Sequence, residues 1–317
     1  MWGRVPGMPA YNLIIIQVPK RQQISDFLTI RNMMYGRATD IDVHVLSVAE
    51  PPPSGFWQKM AERPSLIFSP IPVPLDPRLR GARLMAANIP KSEELRRLRI
   101  AGLPVPETLP ITPDLRLDAG KWGPFTVIKP DVGYRGRGVA LRRTRFVRWT
   151  DTSRLPEDDP RRGRLMLAQR YIHTGSRTCC YRVMTVLGRI IYAMRSLADV
   201  DSPRLDPDGE DDVELEVAAN GVARRLDLIE DADILALARD IAAKLTYVPV
   251  FGIDIIREEG SGRLYVLELN SSGRTWHLSS DHGLGHQRDF GLDYYGQFDA
   301  LGQITDALIE ATRKLAI

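Results

Sequence analysis

Lys129 stands at the end of an apolar stretch, Phe125-Thr126-Val127-Ile128, and just before a proline and a loop with glycines at 133, 136 and 138. The β-branched and aromatic residues read as a strand, and Pro130, which has no N–H to give to a ladder, stops it. The lysine therefore sits at a strand's end. Glycines this close together permit positive φ and near approach of the backbone, so successive N–H groups can converge on an anion, with Arg135 and Arg137 adding charge. As chemistry, this is a phosphate cradle with a lysine beside it. The spacing matches neither GxGxxG nor GxxxxGK[ST], and on its own the loop also reads as a hairpin tip carrying surface arginines. Groups elsewhere in the chain must decide.

The second chemical feature is the pair of runs VFGIDIIR (250–257) and RLYVLELN (263–270), joined by Glu258-Glu259-Gly260-Ser261-Gly262. Two β-rich runs separated by turn formers make a hairpin. A turn centred near Gly260 or Ser261 puts Asp254 opposite Glu268, and alternation puts Asn270 on the same face as Glu268. Two carboxylates and an amide oxygen thus converge among apolar neighbours, where like charges repel and a cation is required between them. Hard oxygen donors of this kind suit Mg²⁺, whose shell is completed by water and phosphate. On this reading Asp254→Asn relieves repulsion and leaves the metal-free protein at least as stable. A solvent-facing acidic hairpin is the plainer alternative.

The elements that must position these groups alternate in type. Residues 12–18 read as a buried strand, Ile24 to Gly36 as an amphipathic helix, and 42–47 and 66–68 as further strands, a β-α-β-like start. Ser92 is placed to cap a helix with Glu93 and Glu94 in its first turn and Leu95 and Leu98 on its buried face. Leu165 to Ile172 and Tyr181 to Met194 read as strands, the second turning at Gly188-Arg189. The acidic segment from Asp199 to Glu216 reads as a solvated loop or as one shaping a substrate entrance. Helices follow over roughly 230–245 and at the end of the chain. At 317 residues, 44% hydrophobic and 26% charged, the chain has the composition of a folded soluble protein, and its net charge of +3 points to no nucleic-acid or membrane partner. No apolar run has the length of a membrane span, so a cytoplasmic location is expected. Cys179 and Cys180 are adjacent and have no partner at metal-ligand spacing; they read as buried small residues.

Lysine, glycine loop and Asp…Glu-x-Asn together resemble the ATP-grasp superfamily, in its carboxylate-amine ligase branch of glutathione synthetase and the ribosomal-protein glutamate ligase. KSEELRRLRIAGLPVPET (91–108) is similar to the lysine, helix and GLPVP segment preceding the lid of those proteins, VIKPDVGYRGRGV to the lid strand and glycine loop, AQRYI (168–172) to the adenine hinge, and FGIDII with LELNSSGR to the metal-binding strands. The resemblance implies an α/β (α+β) ATP-grasp fold. It divides the chain into an N-terminal α/β domain over 1–88, a linker helix and lid over 89–168, and a C-terminal subdomain with the metal site over 169–317.

It also implies roles. Lys91 and Lys129 go to the phosphates of ATP, and Gly133, Tyr134, Arg135, Gly136, Arg137 and Gly138 form the closing loop. Gln169, Arg170, Tyr171 and Ile172 lie on the adenine side, although Arg170 stands where relatives often carry glutamate. Asp254, Glu268 and Asn270 hold one or two Mg²⁺, with Mn²⁺ a substitute, and Arg182, Arg195 and Arg274 act on the phosphate, the activated carboxylate or the acceptor. The activity implied is ATP-dependent ligation of a carboxylate, small or peptidic, to an amine through an acyl phosphate, with ADP as product. A homo-oligomer is left open. The alternatives are a phosphotransferase on the same fold and a nucleotide-binding module without catalysis.

Overall fold

The computed structural model describes residues 9–133, 136–216 and 223–317. Tyr134 and Arg135, two of the expected loop residues, lie outside them. The first sheet contains β1 (Tyr11–Gln17), β2 (Ile41–Ser47), β3 (Ser65–Ser69) and β4 (Ala82–Met85), with helices α1 (Ile24–Arg37) and α2 (Phe56–Glu62) between strands. Its order is β2-β1-β3-β4 and every pair is parallel. Burial on both faces explains why β1 reads as an unbroken apolar run rather than an alternating one.

Helix α3 (Lys91–Ile100) follows, and its start differs from the reading of Ser92 as its cap. Pro90 occupies the capping position, and Ser92 lies inside the helix. The carboxylate of Asp131 instead accepts from Ser92 N at 2.7 Å and from Ser92 Oγ at 3.0 Å. An acid from a distant strand end thus satisfies donors that a proline cannot serve.

The lid sheet is built from β5 (Thr108–Pro110), β6 (Phe125–Pro130), β7 (Ala140–Arg143) and β8 (Met166–Arg170), with the one-turn helix α4 (Ala119–Trp122) packed on it. The chain then makes β9 (Cys179–Val186) and β10 (Arg189–Ala198) and returns to the lid for β11 (Glu214–Glu216), which gives the order β11-β7-β6-β8-β5. The acidic segment is therefore docked, not merely solvated. Arg143 donates to the carbonyls of Asp206 at 2.6 Å and Asp211 at 2.7 Å, and Arg142 pairs with Asp212.

The third sheet adds β12 (Arg224–Leu228), β13 (Val250–Arg257) and β14 (Leu264–Asn270) in the antiparallel order β12-β10-β9-β13-β14. One face is covered by α3 and by α5 (Ala232–Lys244), where Leu95, Leu98, Ile234 and Ile241 share a core with Val183, Ile253 and Val266. On the other, Tyr192 and Met194 share a core with Phe27 and Met34 of α1 and with Ile304 and Leu308 of the closing helix α7 (Ala300–Leu315). Each such fully buried side chain contributes about 1.5–3 kcal/mol, which fixes the sheet between two helical layers. A further helix, α6 (Asp281–Phe290), precedes α7 and has no counterpart among the expected elements.

Candidate active site

Strands β13 and β14 bring the expected acids together, since Asp254 lies opposite Glu268 and Gly252 opposite Asn270. Asn270 Nδ2 donates to Asp254 Oδ2 at 3.2 Å. Immediately beyond, the register shifts so that Ile255 faces Val266, leaving Leu267 as the extra residue of a β-bulge. A bulge re-aims the side chains around it. Here an apolar residue and an acid fall side by side on the site face.

The cation that the paired acids require is present in the protein itself. Arg182, opposite Asp254 on β9, donates from Nε to Oδ1 at 2.7 Å and from Nη2 to Oδ2 at 2.8 Å, a bidentate pair. Burial works against the guanidinium's charge, but Asp254 outweighs it and holds Arg182 protonated well above its usual range. Lys91 Nζ stands 3.5 Å from Glu268 Oε2. Asp254 and Glu268 are therefore each compensated without a metal, which overturns the expectation that Asp254→Asn relieves a strain. Among the described residues no group of three or more His, Cys, Asp or Glu comes together for a metal. Two carboxylates and an amide instead form the incomplete oxygen set that fits Mg²⁺ taking its remaining ligands from water and phosphate.

The two lysines arrive from different elements. Lys129, at the end of β6, is 5% exposed, and its Nζ donates to Gln169 Oε1 at 3.0 Å and to the carbonyl of Leu267 at 3.3 Å. Burial pushes it down to about 8, against the pull of Glu268. Lys91, the first residue of α3, donates to the carbonyl of Gly133 at 2.8 Å. The root of the glycine loop and the carboxylate face thus meet at the seam between lid and C-terminal sheet. Gly136 and Gly138 have φ of 68° and 74°, and a Cβ at 138 would lie 3.0 Å from Arg161, so the loop needs glycine there on both counts. Arg137 is held outward by the carbonyl of Asp158 at 3.1 Å.

Gln169 has both polar atoms engaged, accepting from Lys129 and donating to Thr108 Oγ1 at 3.0 Å, so it positions the lysine. Arg170 donates to Tyr265 Oη at 2.9 Å and ties the sheets together. Tyr171 lies against His173, which pairs with Glu259 at 2.9 Å. Ile172 joins Ile256 and Tyr265 in a small apolar cluster flanked by Cys180 and the bulged Leu267. This cluster lies beside Lys129, whose Nζ donates to the carbonyl of Leu267. Both cysteines are free and half-buried, and burial raises each thiol above its ordinary value.

The three arginines separate. Arg182 is in the site. Arg195 is not: Arg182 faces Met194, so Arg195 lies on the opposite face, opposite Tyr181, and pairs with Asp227 at 3.0 Å. The cause is a bulge between Ile190 and Tyr192, which shifts the β9–β10 register by one and turns every later side chain over. Arg274 is exposed on the loop after β14. That loop is anchored by Asp26 of α1, 3% exposed, which accepts from Trp276 Nε1 at 2.8 Å and Ser279 Oγ at 2.5 Å.

Two groups escaped the sequence reading. Glu94, on the buried face of α3, is 2% exposed and accepts from Ser271 Oγ at 2.5 Å; burial, reinforced by Glu268, pushes its carboxyl up to about 8. The other is a histidine cluster, with the His277 ring 5.3 Å from His282 and 5.5 Å from His286. Ser280 accepts from Gly283 N and caps α6, and His282 and His286, four apart, share one face of it. The Ser-Asp start and the i, i+4 histidines were available signals, hidden by two glycines in a short helix.

No family model matches the chain, and no curated protein does. Solved structures do. D-cycloserine synthetase DcsG aligns over 95% of this chain and 99% of its own, at 15% identity and a TM-score of 0.50. The ATP-grasp ligase PsnB complexed with minimal precursor, Mg and ADP aligns over 95% of this chain and 98% of its own, at 19% identity and a TM-score of 0.52. PsnB complexed with precursor peptide PsnA2 and AMPPNP is similar over 95% of this chain at 18% identity and a TM-score of 0.50. The protein has the ATP-grasp fold, an α/β architecture with sheets on either side of the lysine and carboxylate groups.

Proposed function

We propose that the protein is an ATP-dependent ligase that joins a carboxylate to an amine and releases ADP. The observation that carries this reading is the meeting of Lys91 and Lys129 with the Asp254, Glu268 and Asn270 face at one seam. Lys129, Lys91 and the glycine loop bind the phosphates of ATP, and the Ile172, Leu267 and Cys180 patch takes the base. Asp254, Glu268 and Asn270 would hold one or two Mg²⁺, or Mn²⁺ in its place, and the ion would supply charge neutralisation for the phosphates.

A carboxylate is a poor electrophile, so its oxygen attacks the γ-phosphorus and ADP leaves, giving an acyl phosphate. The amine then attacks the acyl carbon, phosphate departs and the amine proton is lost. Lys129, preorganised by Gln169 in a nearly dry position, stabilises charge on the transferring oxygens. The lid's task is to keep water from the mixed anhydride.

Incubation with Mg²⁺-ATP and pools of amino acids, dipeptides and dicarboxylates, followed by chromatography of the nucleotides, tests the reading. ADP and phosphate are expected; AMP with pyrophosphate rejects it. Added hydroxylamine separates ligase from phosphotransferase, because only an acyl phosphate yields a hydroxamate.

A further inference from the structure

Helix α3 is held from both sides of the cleft. Leu95 and Leu98 sit in the core beneath the C-terminal sheet, and Glu94 accepts from Ser271 Oγ at 2.5 Å, just past the end of β14. Its first turn belongs to the lid instead. Of the four N–H groups that open a helix without partners inside it, those of Glu93 and Glu94 donate to the carbonyl of Pro90 at 3.1 and 3.0 Å. The other two go to a single residue. Lys91 N donates to the carbonyl of Asp131 at 3.1 Å and Ser92 N to its Oδ1 at 2.7 Å, while Ser92 Oγ donates to its Oδ2 at 3.0 Å. Asp131 is fixed in turn, because its own N–H donates to the carbonyl of Leu165 at 2.8 Å and prolongs the ladder of β6 with β8. It is 9% exposed.

Electrostatics argue against an acid at this place. Asp131 stands two residues after Lys129 and two before Gly133, at the root of a loop that the ligase reading gives to a polyanion, and a carboxylate there opposes the phosphates by its charge. Nucleotide binding therefore does not account for it. What the carboxylate secures is the start of α3, and the first side chain of that helix is Lys91. Lys91 Nζ donates to the carbonyl of Gly133 at 2.8 Å and stands 3.5 Å from Glu268 Oε2, so it spans the seam between lid and C-terminal sheet. Its main chain and its ammonium group are thus pinned to the same short segment, 131–133. A lysine stem is long and flexible, and the position of Nζ is only as definite as the hold on the backbone that carries it.

We propose that Asp131 is the positioning residue of Lys91. By clipping the first turn of α3 to the root of the glycine loop, it sets the separation of the two lysines and keeps the Lys91 ammonium group within reach of Glu268. The role of Lys91 at phosphate rests on the ligase reading; its placement by Asp131 does not.

Amine acetylation followed by mass spectrometry reads the placement without any nucleotide. Lys91, with 15% of its side chain exposed, should react slowly in the wild type. Asp131→Ala should raise its rate about tenfold by freeing the helix start, and leave the rate of the exposed Lys59 unchanged. Asp131→Asn is the conservative variant: its amide oxygen still accepts from Ser92 N, its Nδ2 can donate to Ser92 Oγ, and the Lys91 rate should stay within about threefold of wild type. Turnover reads the consequence. Asp131→Ala should lower kcat by about tenfold or more, and in a Lys91→Met background the same substitution should cost almost nothing further, because its effect passes through the lysine. An unchanged Lys91 rate in folded Asp131→Ala, or full additivity of the two substitutions, overturns the proposal. Should Asp131→Ala not fold, Ser92→Ala removes the bond to Oδ2 alone and decides in its place: faster Lys91 acetylation upholds the proposal, and an unchanged rate overturns it. A wild type that acetylates as expected but binds no ATP analogue would sink the ligase reading and leave the placement standing.

Discussion

Arg182 grips both carboxylate oxygens of Asp254, so the acid assigned to the metal is engaged by a guanidinium before any metal arrives. Removing one member of a buried pair strands the other, at a cost of about 3 kcal/mol or more. Asp254→Asn should thus be destabilised in denaturant titrations without Mg²⁺, and nearly inactive. A double variant, Asp254→Asn/Arg182→Met, should regain most of the stability and none of the activity. Full stability of the single variant would mean that the pair contributes nothing.

Lys129→Met should weaken binding of a non-hydrolysable ATP analogue by about ten- to a hundredfold, the value of one charge-assisted contact out of water. In the wild type the affinity should also fall as pH rises through about 8, where the unliganded lysine loses its proton. Fluorescence titration across that range checks both, and the pH effect should vanish in the methionine variant.

Glu94 sets a different pH signature. Its folded pKa is raised from 4.5 to about 8, so the folded state binds the extra proton and the carboxyl's contribution to stability is lost as pH climbs through that window. Glu94→Gln keeps the neutral shape and has no proton to lose. The difference in melting temperature, variant minus wild type, should grow from pH 5 to pH 8 and level off above it. A constant difference would show that Glu94 is ionised throughout.

Gln169→Leu tests positioning against binding. It removes the acceptor that orients Lys129 Nζ and leaves the cation in place. Turnover should drop at least tenfold while nucleotide affinity changes by less than about threefold, a split that a plain folding defect would not produce.

Much of this site was legible because turn length fixes a hairpin's register. Val250–Arg257 and Leu264–Asn270 pair with Asp254 opposite Glu268, as counting from Ser261 gives. What could not be read were the two bulges. The one at Leu267 adds an apolar residue to the site face, and the one near Ile191 carries Arg195 out of it, although a regular hairpin turning at Gly188 would have kept Arg182 and Arg195 together. A bulge depends on packing around the strand and leaves little trace in composition. Asp131 as the partner of Ser92, and Arg182 as the partner of Asp254, were equally out of reach, because each joins segments far apart in the chain.

The return of β11 to the lid ties the molecule in a way that a simple clamp is not tied. The chain leaves the C-terminal sheet after β10, crosses to become the lid's outermost strand, and comes back to begin β12. At the roots of this excursion Asp199 N donates to the carbonyl of Ala223 at 2.9 Å, and Asp199, Ala223 and Arg224 all line a cavity beside α6. The lid is thus joined to the C-terminal sheet twice, once through Ile172 and once through the strand whose connection starts beside that cavity. A displacement of the lid therefore loads two connections at once, and one of them begins at the wall of the cavity beside α6.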